Sequence, residues 1–77
     1  MANIYLNPSE YVVHFFGGVR AAARRVGRSP SSVCAWRKVG TVPLVAIHEI
    51  LALAKRRKLD IKLEDLCYGR TIKTNGK

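Results

Sequence analysis

Acidic residues are scarce in this chain of 77 residues: 5 Asp and Glu stand against 14 Lys and Arg, for a formal net charge of +9. So strong a field on so small a body favours a polyanionic partner, nucleic acid first and a membrane surface second. Long apolar runs are also missing. No window approaches the roughly 20 apolar residues that cross a bilayer, and the amino-terminal "MANIYLNPSE" has neither the basic start nor the apolar core of a secretory signal. A cytoplasmic location, with no membrane partner, is therefore expected. The 2 cysteines, Cys34 and Cys67, cannot build a disulfide framework and lack zinc spacing, and His14 and His48 add no ligand pattern. Neither a metal nor another cofactor is expected. The acids Glu10, Glu49, Asp60, Glu64 and Asp65 are scattered, and no His, Ser or Cys stands beside a base in a catalytic motif. An enzyme, and with it a small-molecule substrate, is thus the weakest candidate.

At 48% hydrophobic residues the chain has the composition of one folded domain. A domain this short buries only about 60% of the surface its unfolded form exposes, so a partner subunit would help it. Helix signals recur along it. Asn7, Pro8 and Glu10 supply an N-cap, a pre-set first position and a reciprocal capping partner, and Tyr11, Val12, Phe15 and Phe16 follow at helical spacing until Gly17 and Gly18. "VRAAARRV" makes a second helix ending at Gly27, with Arg20, Arg24 and Arg25 outward. Ser29 and Pro30 open a third. Pro43 opens the longest, with Leu44, Ile47, Ile50, Leu51 and Ala54 as its apolar stripe and the basic run Lys55 to Lys58 at its end. That run suits phosphate, a membrane surface, or the negative end of the helix dipole. Leu63 and Leu66 suit a short fifth helix, favoured over a strand that Ile61 and Leu63 could also begin.

The fold class expected is therefore all-α, a compact bundle of four to five short helices over about 8–16, 19–26, 30–38, 43–57 and 62–67. Residues 1–69 would form the domain and residues 70–77 a flexible basic tail. Within it, Val19 to Lys38 forms a unit of two helices and a tight turn. Ala23 permits close crossing, Gly27 permits a left-handed turn, and Val33 and Trp36 turn an apolar ridge back onto the first helix. Trp36 could stack on a base instead, but its offset from Val33 favours the packed face.

These four residues resemble the helix-turn-helix of the lambda-repressor and Cro superfamily, where alanine, turn glycine, a β-branched residue and a bulky apolar residue hold the same offsets. The wider "HFFGGVRAAARRVGRSPSSVCAW" is similar to small phage Cro proteins and YdaS-type regulators, over Tyr11 to about Ala54. Leu59 to Lys77 match nothing specific. The resemblance implies that the second helix lies in the major groove, with Ser29, Pro30, Ser31, Cys34, Ala35 and Lys38 toward DNA. This sequence departs from the pattern at Pro30, where a long reader such as Gln is usual, and at Arg28, where an apolar residue is usual. Base reading then falls on Arg28, Ser29, Ser31, Ser32, Ala35 and Lys38, and phosphate contact on Arg20, Arg24 and Arg37.

The expected function is a sequence-specific double-stranded-DNA-binding transcriptional regulator, a Cro-like repressor of a prophage or mobile element. It would bind an inverted-repeat operator as a homodimer joined near Leu59 to Tyr68, where Leu63 or Leu66 would otherwise be an apolar excess. The alternative is an antitoxin-type regulator whose main partner is a protein. A membrane-surface helix over Leu44 to Lys58 is disfavoured by Glu49 and by the lack of cations before the helix end.

Overall fold

In the computed structural model, which describes residues 2–74, the order is β1 (Ala2–Leu6), α1 (Pro8–Phe16), α2 (Val19–Val26), α3 (Pro30–Val39), α4 (Leu44–Arg57), α5 (Leu63–Tyr68) and β2 (Arg70–Thr74). It is a compact helical bundle carrying one small sheet. The helix ends follow the caps. Asn7 Oδ1 accepts from the Glu10 backbone N–H at 2.9 Å, and Glu10 Oε1 accepts from the Asn7 N–H at 3.1 Å, which fixes the start of α1. Pro43 is the N-cap of α4 rather than its first helical residue, and α3 and α5 each run one residue beyond the expected ends. At α5, Asp65 accepts from the Lys62 N–H at 3.1 Å; the reverse bond has no acceptor, because an ammonium only donates.

One core joins the helices. Val12 of α1, Ala22, Ala23 and Val26 of α2, Val33 and Trp36 of α3, and Ala46, Ile47, Ile50 and Ala54 of α4 are buried together. Ile61 and Leu66 close its far side. The stripe expected along α4 is rotated at both ends: Leu44 is exposed, Leu51 is half-buried, and Ala46 and Leu53 are buried in their place. Leu66 fills the core and so is withdrawn from the dimer surface assigned to it, while Leu63 stays exposed.

The two strands add to the expected helical bundle and correct the expected tail. Arg70–Thr74, expected as part of a flexible tail, pairs antiparallel with Ala2–Leu6 in the register Ala2↔Thr74, Ile4↔Ile72 and Leu6↔Arg70. Residues 75–77 of the expected tail lie outside the described residues. A two-stranded ribbon is marginal alone, and side chains tie this one to the bundle. The Tyr11 hydroxyl donates to the Asp60 carbonyl at 3.3 Å and accepts from Arg70 at 3.3 Å, and the Arg70 guanidinium stands 5.9 Å from the Tyr11 ring centre. Asp65 and Asp60 lie 3.7 and 3.8 Å from the same guanidinium. Burial pushes the Tyr11 phenol above its ordinary pKa, so it remains a neutral donor in this clasp.

Candidate functional site

The face that the α2–turn–α3 pair presents is built from the turn outward. Gly27 takes φ +78 and ψ 32, the left-handed region that a side chain would disfavour. The Gly27 and Arg28 N–H groups then both donate to the Ala23 carbonyl, at 2.9 and 2.8 Å, which turns the chain sharply out of α2. Ser29 caps α3, its hydroxyl accepting from the Ser32 N–H at 3.3 Å, and Pro30 takes the first position. Ala23, Val33 and Trp36 are buried against one another's helices as expected.

With Val33 and Trp36 turned inward, the other side of α3 points to solvent. Ser31, Cys34, Ala35 and Lys38 fall at i, i+3, i+4 and i+7, and all four are exposed, as are Ser29 and Pro30. They form a continuous stripe. Arg20, Arg24 and Arg25 of α2 and Arg37 of α3 are also exposed. Arg37 lies apart from the stripe, at a shallow groove it shares with His14, Gly17 and Gly18 where α1 meets α2.

Three members of the expected reading set are placed differently from the rest. Ser32 is half-buried, and its hydroxyl lies 3.1 Å from that of Ser29, so both serines are engaged in capping. Arg28 does not extend freely: its guanidinium is bonded to the Glu49 carboxylate of α4, and its Nε is buried without a hydrogen-bond partner among the described residues. Of the residues expected to read bases, Ser31, Ala35 and Lys38 are left on the exposed and unengaged stripe, with Cys34 among them. Glu49 is a part of this surface that sequence inspection missed, because 21 positions separate it from Arg28. Missed too is an exposed apolar group, Val39 at the end of α3 with Leu44 and Val45 at the start of α4, each at least 64% exposed.

Among the described residues no group of three or more His, Cys, Asp or Glu side chains could hold a metal, and no helix is long and apolar enough to cross a membrane. Cys34 and Cys67 are exposed free thiols. Comparison of the chain with protein-family models, with curated proteins and with solved structures finds no match.

Proposed function

We propose that this chain is a non-enzymatic, sequence-specific regulator of transcription that binds double-stranded DNA through the helix-turn-helix of α2 and α3. The single observation that carries the proposal is the exposed stripe Ser31, Cys34, Ala35 and Lys38, backed by buried Val33 and Trp36, on a helix pair whose Arg20, Arg24, Arg25 and Arg37 are also exposed. A helix of this width enters the major groove, where Ser31 and Lys38 can bond base edges and the Ala35 methyl can meet a thymine methyl. Arg20, Arg24 and Arg37 supply phosphate contacts, and from Val19 to Lys38 the sequence has no acid to oppose them. So short a stripe discriminates weakly alone. A homodimer on an inverted repeat, acting as a Cro-like repressor of a prophage or mobile element, doubles the readout.

Ser31→Ala and Lys38→Ala are expected to cost about 1–3 kcal/mol on the preferred site and less on random duplex, each residue being a base contact. Equal losses on both duplexes would reassign them to phosphate. Arg37→Ala is expected to weaken both alike and to flatten the slope of log affinity against log salt by about 0.9; an unchanged slope removes Arg37 from the backbone set. Selection of bound sites from random duplexes at two salt concentrations tests the proposal as a whole. A symmetric consensus supports a dimeric reader, and absence of binding overturns it.

A second reading, a regulator whose main partner is a protein, draws support from Val39, Leu44 and Val45, an apolar group that DNA phosphates would not cover. Absence of duplex binding in the same selection favours it.

A further inference from the structure

Glu49 is the one acid between Glu10 and Asp60, so a stretch of 49 intervening positions that holds α2, α3 and α4 carries a single negative charge. That charge is directed at one residue. Glu49 lines a groove between α2 and α4 with Arg25, Lys55 and Arg56 around it, yet its carboxylate bonds Arg28, in the turn that leads into α3. The Arg28 backbone is fixed there by its N–H bond to Ala23 and by the Ser29 cap that follows. Only its long side chain has a choice of direction. The two side chains remain 34% and 44% exposed, so the pair is solvated and contributes little to folding. Its larger effect is on where a cation is available.

We propose that Glu49 limits the affinity of this surface for duplex of any sequence: by holding the Arg28 guanidinium against α4, it withholds a phosphate-seeking cation from the leading edge of α3. The inference rests on the DNA-binding function proposed above. Phosphate contacts are the same for every sequence and raise affinity without discrimination, whereas base contacts discriminate. An arginine free at the amino-terminal end of α3 would grip any duplex. Tied to Glu49, it adds nothing to that grip.

Glu49→Gln keeps the shape and removes the charge. In 50 mM salt it is expected to tighten binding to a random-sequence 20-base-pair duplex on the order of 3- to 10-fold, and to steepen the salt slope by about 0.9, one added phosphate contact. Affinity for the best selected duplex rises by the same factor, so the preference between the two is unchanged. Loss of a negative charge anywhere raises nonspecific binding somewhat, so the deciding measurement is the same substitution in an Arg28→Ala background. The gain is expected to vanish there. A gain that persists without Arg28, or no gain with Arg28 present, overturns the role of Glu49. A wild-type chain that binds neither duplex overturns the DNA-binding function itself, and the two failures are thereby distinct.

Discussion

Trp36→Ala is expected to cost about 3–5 kcal/mol, the range for truncating a large aromatic side chain in a core. Trp36 is only 8% exposed and sits in the core with Val33 and Ala23, where it joins the back of α3 to the rest of the bundle. A small domain has on the order of 5 kcal/mol to lose, so the substitution leaves about 0–2 kcal/mol and a fold that melts close to ambient temperature. A large drop in melting temperature, followed by the helical circular dichroism signal, checks it. A variant that keeps its melting transition but no longer binds duplex would instead make Trp36 a contact residue. Trp36→Phe is expected to retain the fold, since its ring preserves most of the apolar surface.

The second large effect is expected at Gly69, between α5 and β2. Its φ of +83 and ψ of −174 lie in a region that essentially only glycine occupies, costing other residues about 1–3 kcal/mol. Space makes it worse. A Cβ there would stand 2.2 Å from the Leu6 carbonyl oxygen, 2.8 Å from the Tyr5 hydroxyl and 3.0 Å from the Asn7 Cα, and two of those three atoms are backbone. Gly69→Ala therefore has to push β1 away from β2, and amide protection across Ala2–Leu6 and Arg70–Thr74 is expected to vanish first. Gly18→Ala supplies the comparison, because Gly18, with φ +139 and ψ 169, lies in the same glycine-only region but has open space where the Cβ would go. The difference in melting temperature between the two variants isolates the clash. Equal losses would mean that the ribbon yields without cost.

What was legible in the sequence was local. Asn7, Pro8 and Glu10, then Gly27, Ser29 and Pro30, are caps and stops whose partners lie within four residues, and these bonds form where the residue types require them. The inward faces of α2 and α3 followed from spacing alone. What was not legible depends on distant partners. "NIYL" and "RTIK" are too short to show alternation, and each becomes a strand only because the other lies beside it across the bundle. Likewise, apolar character at Leu44 and Leu66 does not say which one the core reaches; α5 turns Leu66 inward, while in the first turn of α4 Ala46 and Ile47 take the buried side and leave Leu44 outside. The same limit applied to Arg28, which reads as a free base-seeking cation until α4 brings Glu49 to it.

The ribbon has a further meaning for the connectivity of the chain. Ala2 is the ladder partner of Thr74, and such partners lie about 4.5–5.5 Å apart, less than the span of two residues. Bringing ends together across so long a loop costs on the order of 4 kcal/mol in chain entropy, but the five helices have already met most of that cost by folding. From Ala2 to Thr74 the backbone is thus nearly a ring. A chain with Thr74 bridged to Ala2 and cut at exposed Thr41, between α3 and α4, would thread the same core in a different order.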